Sequence, residues 1–171
     1  MRAAYKDLMH LNSQVIEEMQ WWHDEMHQWS GKAIISARCQ MVVTTDASSF
    51  GWGGWWRPFG LAGKLKDKAR GFWLLLEEGM SSNARELSGV KLTIKAGLEH
   101  FRNRVVLVET DNKVTQAYVN HLGGRSPFLN SIARDLWSMC YQAHILVVAV
   151  HRPGKVNVRA DFGHLGGSTI T

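Results

Sequence analysis

Residues 104–112 (RVVLVETDN) give the clearest indication of how this chain folds. The apolar residues of this stretch follow one another without alternation, which is typical of a strand buried on both faces of a parallel sheet. Residues 144–150 (HILVVAV) have the same character, and residues 41–45 are similarly short, apolar and β-branched. Because helices must cover a buried parallel sheet, these strands predict an α/β domain.

The segments between these strands complete the predicted order. Residues 50–56 and 71–76 are strand-like and follow the first strand through short connections, which favours antiparallel pairing of the first three strands. Apolar residues at intervals of three and four predict helices over residues 14–29, 87–101 and 114–122 and from Ser126-Pro127 onward. The predicted order is therefore a helix followed by β-β-β-α-β-α-α-β.

Composition excludes several classes of protein. Apolar residues make up 45% of the 171-residue chain, which argues against disorder, and two cysteines cannot build a disulfide scaffold. The apolar runs are too short to span a bilayer, and residues 1–30 lack the apolar core of a signal peptide. We therefore expect an intracellular protein, cytoplasmic or nuclear, with no membrane partner and with Cys39 and Cys140 reduced and buried.

Charge and tryptophan content leave two interpretations open. A formal net charge of +5 is compatible with a polyanionic partner, and it is also common among ordinary soluble proteins. Seven of the eight tryptophans lie in the first 73 residues. They indicate either a large aromatic core or a surface on which bases stack.

Carboxylates are predicted to gather at one edge of the sheet. Asp46 ends the first strand and Asp111 follows the fourth, and the carboxyl ends of parallel strands share one edge. Glu86 lies four residues before Val90 on the apolar stripe of its helix, so it faces the sheet. Asp161 follows the last strand after a loop. Four carboxylates from four separate elements are therefore expected to converge.

Such a cluster implies a bound cation. Neighbouring like charges raise one another's pKa and destabilise the fold, and a divalent cation removes that cost. Oxygen ligands select Mg²⁺ or Mn²⁺ over zinc. Carboxylates that bridge two such ions, about 3.5–4 Å apart, form an arrangement used to hydrolyse phosphodiesters.

Four segments resemble, in order and in the elements they occupy, the motifs of the ribonuclease H (RNase H) family. They are residues 45–53 (TDASSFGWG), 83–87 (NAREL), 110–112 (TDN) and 151–161 (HRPGKVNVRAD). The sequence is most similar to the RNase H domain of retroelement reverse transcriptases, particularly those of tyrosine-recombinase (DIRS-type) retrotransposons. The likeness covers roughly residues 17–165.

The resemblance implies a fold and an activity. The fold is a five-stranded mixed sheet, with strands 1–3 antiparallel and the later strands parallel, and with helices on both faces. We expect an N-terminal helical segment at residues 1–36 and the RNase H-like domain at residues 37–171. The implied activity is cleavage of the RNA strand of RNA/DNA hybrids, leaving 3′-hydroxyl and 5′-phosphate ends. An adjoining reverse transcriptase domain in a longer polyprotein is the implied partner.

The resemblance also assigns roles to individual residues. Asp46, Glu86, Asp111 and Asp161 would bind two Mg²⁺ or Mn²⁺ ions, and His151 would be a mobile general acid/base that helps the product leave.

Nucleic-acid contacts are expected from further residues. Asn83 and Asn157 would hold the scissile strand, where 2′-hydroxyl contacts distinguish RNA from DNA, and Ser48 in the first motif is a further contact. Many cellular RNases H carry a basic helix-loop that is not evident here. The cations expected to contact phosphates in its place are Lys64, Lys66, Lys68, Arg70 and Arg125.

Each of these residues also has an ordinary structural interpretation. Asn83 and Glu86 fit a capping box, with Asn83 as N-cap, and Asp111 fits the N-cap of the following helix. The basic residues from Lys64 to Arg70 fit a charged hairpin tip. His23 and His27 share a helix face, as zinc ligands do, although a solvated face explains them equally.

Two other functions compete with the nuclease. One is a catalytically silent RNase H-like module that binds nucleic acid or braces a neighbouring polymerase domain. The other is an integrase or resolvase of the same fold. Four mutually repelling carboxylates argue against a silent module, and the spacing from His151 to Asp161 argues against an integrase.

Overall fold

The computed structural model describes residues 10–25, 38–61, 67–74 and 79–153. The chain divides into two compact units, residues 1–37 and 38–171. The first unit contains helix α1 (Ser13–Glu25), whose apolar residues Ile16, Met19 and Trp22 are exposed. His23 of this helix is exposed and pairs with Asp24 at 3.0 Å, whereas His27 lies outside the described residues.

The second unit contains five strands and four helices. The strands are β1 (Met41–Ala47), β2 (Gly51–Pro58), β3 (Asp67–Phe72), β4 (Val105–Thr110) and β5 (Leu146–His151). The helices are α2 (Ser82–Ala96), α3 (Leu98–Phe101), α4 (Lys113–His121) and α5 (Pro127–Gln142). As predicted, α5 begins with Ser126 as its cap and Pro127 in its first turn.

The strands form one sheet in the order β3-β2-β1-β4-β5. Strand β2 pairs antiparallel with β1 and with β3, and β4 pairs parallel with β1 and with β5. The predicted α/β fold class with a mixed five-stranded sheet is confirmed. Because β1 and β4 are parallel neighbours, Asp46 and Asp111 lie at the same end of the sheet.

The hydrophobic core lies on one face of this sheet. Alternate residues of β1 and β4, such as Val43 and Val108, are fully buried against helical residues such as Leu87, Ile94 and Leu136. These residues are the apolar stripes that the sequence predicted for α2 and α5. Their burial against the sheet fixes the rotation of α2 about its own axis.

Two predicted element boundaries were wrong. The helix predicted over residues 87–101 is broken at Gly97, which separates α2 from α3. A Cβ there would lie 2.5 Å from the ring of Phe101, so the glycine allows that buried ring to approach the turn. Strand β3 begins at Asp67 rather than at residue 71, because pairing with β2 extends back to Trp56. Lys68 and Arg70 are therefore strand residues.

The two cysteines differ in burial. Cys140 is buried, and burial raises the pKa of its thiol to about 12. Cys39 is only half-buried, so the prediction that it is buried was wrong.

Trp56 and Trp73 are buried, and Trp56 packs edge-to-face on Phe101 at 5.4 Å, so part of the tryptophan content builds the core. Across the described ranges, every helix is too short or too polar to cross a membrane.

Gly54 offers a test of how closely α2 packs on the sheet. A Cβ at this position would lie 2.3 Å from the side chain of Thr93 on α2. We expect Gly54→Ala to lower the free energy of unfolding by about 1–3 kcal/mol, because the helix must shift to relieve the overlap. Urea denaturation measures this change.

The double variant Gly54→Ala/Thr93→Ala is the control, because it removes two of the three overlapping atoms. Its loss of stability should be smaller than the sum of the two single losses. Strict additivity would show that the helix does not press on Gly54.

Candidate active site

Three of the four predicted carboxylates occupy the end of the sheet where β1 and β4 terminate. Asp46 is the second-last residue of β1, Asp111 directly follows β4, and Glu86 is near the start of α2. Asp46 is half-buried and Asp111 is exposed, whereas Glu86 is only 7% exposed. The charges of both aspartates act on Glu86, so the three groups form a single electrostatic cluster.

The close approach of α2 to β1 explains the position of Glu86. A Cβ at Gly89, one turn after Glu86, would lie 3.5 Å from the Cβ of Ala47, so helix and strand are in contact there. The backbone N–H of Ala47 donates a hydrogen bond to the Glu86 carboxyl group. The helical phase that buries Leu87 and Val90 therefore also turns Glu86 toward the carboxylates.

Burial is the main electrostatic influence on Glu86. Removal from water, together with the negative charges of Asp111 and Asp46, raises the pKa of its carboxyl group to about 8. The Ala47 hydrogen bond and the charge of Arg85 oppose this pKa shift only in part. One carboxyl oxygen, Oε2, is buried and has no hydrogen-bond partner among the residues that the structure describes.

These properties fit a divalent cation. An unpaired buried oxygen beside two further carboxylates is a hard, negatively charged ligand set. Within the part of the chain that the structure describes, no three His, Cys, Asp or Glu side chains are arranged so that they hold a metal ion. The fourth predicted ligand, Asp161, lies outside the described residues, as do Asn157, Lys64 and Lys66.

The two capping interpretations of the site residues were wrong. The N-cap of α2 is Ser81, whose side chain accepts from the N–H of Ala84, so Asn83 and Glu86 do not form a capping box. The N-cap of α4 is Asn112, which accepts from the N–H of Thr115 at 2.9 Å, so Asp111 is not the cap. Both acidic residues therefore lack the ordinary structural role that the sequence offered them.

Asn112 is a site residue that the sequence analysis missed. Its side-chain amide donates to Oδ1 of Asn83 at 2.9 Å, which joins the first turn of α2 to the residue after Asp111. The available signal was an asparagine directly before a predicted helix, a preferred N-cap. The hydrogen bond orients Asn83 beside the cluster.

His151 also lies beside the cluster. It is the last residue of β5, and its ring Nε2 donates to the backbone carbonyl oxygen of Asp111 at 3.0 Å. The following residue, Arg152, forms an ion pair of 2.8 Å with Glu109, which in turn accepts from Thr44. The sequence analysis did not identify the buried carboxylate of Glu109, which is on β4 two residues before Asp111.

The remaining predicted contacts are dispersed. The Ser48 hydroxyl accepts from the amides of Phe50 and Gly51 in the β1–β2 turn. The indole of Trp73 donates to the Ser48 carbonyl oxygen at 2.8 Å and secures the same turn. Lys68 is exposed on β3, and Arg125 is exposed between α4 and α5.

Comparison with known proteins identifies the fold. No protein-family model matches the sequence, and no curated protein matches it. Among solved structures, the chain is similar to RNase H1 from Halobacterium salinarum, with 12% identity, a TM-score of 0.57, and coverage of 71% of this chain and 92% of that one.

Two further structures agree. The N-terminal RNase H domain of Rv2228c from Mycobacterium tuberculosis has 14% identity and a TM-score of 0.60, with coverage of 73% of this chain and 90% of that chain. LC11-RNase H1, solved in complex with an RNA/DNA hybrid, has 14% identity and a TM-score of 0.58, with coverage of 72% and 92%. The chain therefore has the RNase H-like fold.

The raised pKa of Glu86 predicts a dependence of stability on pH. Between the ordinary value of 4.5 and about 8, the folded state retains a proton that the unfolded chain has lost. The free energy of unfolding should therefore fall as pH rises across this interval, by about 1.4 kcal/mol for each unit of pKa difference. Thermal denaturation in EDTA from pH 5 to 9 measures the decline.

Glu86→Gln is the matched variant, because it keeps the shape of the side chain and removes the titration. Its stability should fall less steeply over the same pH range and exceed that of the wild type at pH 9. Parallel curves for the two proteins would contradict the burial of an acidic group at this position.

Proposed function

We propose that this chain is a divalent-cation-dependent endoribonuclease that cuts the RNA strand of RNA/DNA hybrids, leaving 3′-hydroxyl and 5′-phosphate ends. The observation that carries the proposal is the convergence of Asp46, Glu86 and Asp111 at one end of an RNase H-like sheet. One of the similar structures was solved with an RNA/DNA hybrid.

Asp46, Glu86, Asp111 and Asp161 would hold two Mg²⁺ or Mn²⁺ ions. When bound, such ions activate water and stabilise the leaving oxygen of a phosphodiester. The buried Oε2 of Glu86, which has no hydrogen-bond partner in the described residues, supports its assignment as a ligand. With a pKa raised to about 8, this carboxyl group retains its proton at neutral pH, and a bound cation would displace that proton.

The chain's own side chains would orient the substrate and move protons. His151 lies beside Asp111 at the end of β5, and an imidazole can both donate and accept a proton, so it is suited to protonate the departing strand. Asn83, oriented by Asn112, would contact the strand that is cut. Lys68 and Arg125 on the described surface, with Ser48, Asn157, Lys64 and Lys66, are the proposed additional contacts.

The resemblance of the four motifs supports a more specific assignment. We place the chain with the RNase H domains of retroelement reverse transcriptases, nearest to the DIRS type. A polymerase domain would then deliver the hybrid to this site. The distribution of the motifs over residues 45–161 supports this assignment.

Asp46→Asn and Asp111→Asn test the site. Each should lower cleavage of a labelled RNA/DNA hybrid by on the order of a thousandfold in Mg²⁺ or Mn²⁺, because the contribution of a cation to phosphoryl chemistry amounts to several kcal/mol. The melting temperature in EDTA should stay equal or rise, because one repelling charge is gone.

Asp135→Asn is the matched control. It makes the same chemical change on α5, at an exposed residue that pairs with Lys91, and it should leave cleavage unchanged. If the site variants unfold instead, the carboxylates are structural. If the wild-type chain binds hybrid but never cuts it under any divalent cation, the chain is the silent binding module.

His151→Ala tests the proposed proton transfer. Turnover should fall by about a hundredfold, in the range typical of a lost general acid or base. The affinity for Mg²⁺, measured by isothermal titration calorimetry, should not change. Loss of Mg²⁺ binding would make the imidazole a ligand and contradict its assigned role.

A further inference from the structure

Asp46 lies on the face of the sheet opposite the core, at one end of β1. Side chains on β1, β2 and β3 alternate between two faces, and the pairing registers align them in rows across the three strands. One row contains Asp46, Gly53 and Arg70. It lies on the face opposite the core, because the neighbouring residue Gly54 meets Thr93 of α2 on the core face.

The adjacent row repeats this pattern. It contains Ser48, Gly51 and Phe72, with Ser48 and Gly51 joined by a backbone hydrogen bond of 2.9 Å. In both rows the central strand contributes a glycine and the outer strands contribute a side chain. Two rows with bare backbone at the centre form a shallow groove, which we name the β2 groove.

Gly53 in this groove lacks the packing constraint that its neighbours have. A Cβ would lie 2.3 Å from the Gly71 carbonyl oxygen at Gly51, 2.3 Å from Thr93 at Gly54, and 2.8 Å from the Trp52 indole nitrogen at Gly71. At Gly53 a Cβ would meet no atom of the described residues within 4 Å, and its φ is outside the left-handed region. Glycine within a strand weakens it and often marks the close approach of a ligand.

The residues along the two sides of the groove are charged, polar or aromatic. Asp46 on β1 and Ser48, directly after β1, lie on one side, and Arg70 and Phe72 on β3 lie on the other. Phe72 is 87% exposed, and among the described residues no carboxylate forms an ion pair with Arg70. The two walls are separated by two strand spacings, about 10 Å, which accommodates one sugar–phosphate backbone.

The next row marks one end of the groove. It contains Thr44, Trp55 and Lys68, so an indole replaces the glycine on the central strand. The guanidinium of Arg57 lies 6.0 Å from the centre of this indole ring. The groove is therefore bounded at Trp55 and open toward the β1–β2 turn.

We infer that the β2 groove binds the backbone of the nucleic-acid strand that is cut, on the stretch that leads away from Asp46. Arg70 contacts a phosphate, and Phe72 presents its ring to the adjoining nucleoside. The inference rests on the proposed nuclease function and assigns its substrate a path across β2. A polyanionic ligand explains why cations are exposed here, and the close approach of that ligand to the β2 backbone explains the glycine at Gly53.

Gly53→Val tests the groove. Valine favours strands and fills open space here, so the free energy of unfolding should be equal or higher. The same side chain fills the floor of the groove, so the dissociation constant for a fluorescein-labelled RNA/DNA hybrid should rise about tenfold. Fluorescence anisotropy in EDTA measures binding without cleavage, and urea denaturation confirms that the variant is folded.

Arg70→Ala tests the phosphate contact. Affinity should fall, and the slope of log K against log salt concentration should decrease by about 0.7–0.9, as expected for one lost phosphate contact. Arg134→Ala removes an exposed cation from α5 and should change neither quantity. Phe72→Ser should weaken binding, whereas Phe59→Ser, at another exposed aromatic residue, should not.

The outcomes separate the inference from the function on which it rests. If folded Gly53→Val binds and cuts the hybrid as the wild type does, the groove is not the path, and the proposed nuclease stands. If the wild type neither binds nor cuts the hybrid, the nuclease proposal itself fails. If Phe72→Ser abolishes self-association in ultracentrifugation while hybrid binding is unchanged, β3 binds a protein, and the inference is overturned.

Discussion

The burial of Glu86 beside two other carboxylates is the constraint that organises this domain. A group that is only 7% exposed, with Asp111 and Asp46 nearby, weakens the metal-free fold at neutral pH. The hydrophobic core must compensate, since the apolar stripe that buries Leu87 and Val90 also carries Glu86 to the sheet. The core of α2 and the acidic cluster are therefore two consequences of one helical phase.

Because side chains alternate along each strand, one face of the sheet forms the core and the other carries Asp46. On β2, Gly54 faces the core and must be small because the side chain of Thr93 lies against it. Gly53 faces the opposite side, where no described residue would contact an added Cβ. On β1, Val43 completes the core, and Asp46 belongs to the outward set near the strand end. A shift of one residue in the register would exchange these roles and bury the aspartate in the core.

The sequence predicted what depends on local periodicity. The apolar runs of β4 and β5 and the helical stripe through Glu86 gave the sheet and the approach of the carboxylates. It failed where tertiary contacts decide: the break at Gly97 depends on the Phe101 ring, and the start of β3 depends on pairing with Trp56. The Asn83–Asn112 hydrogen bond joins residues 29 positions apart, so no local pattern reveals it.

Register also explains why Arg70 looked like part of a loop in the sequence. Basic residues on an edge strand interrupt the apolar pattern, and they protect an open edge from pairing with other chains. Here Arg70 shares a face with Asp46, and the residue between them on β2 is Gly53. Edge protection alone explains Lys68 and Arg70, but it does not explain the glycine between Arg70 and Asp46. The proposed approach of a nucleic-acid backbone to β2 gives that residue a reason to be small.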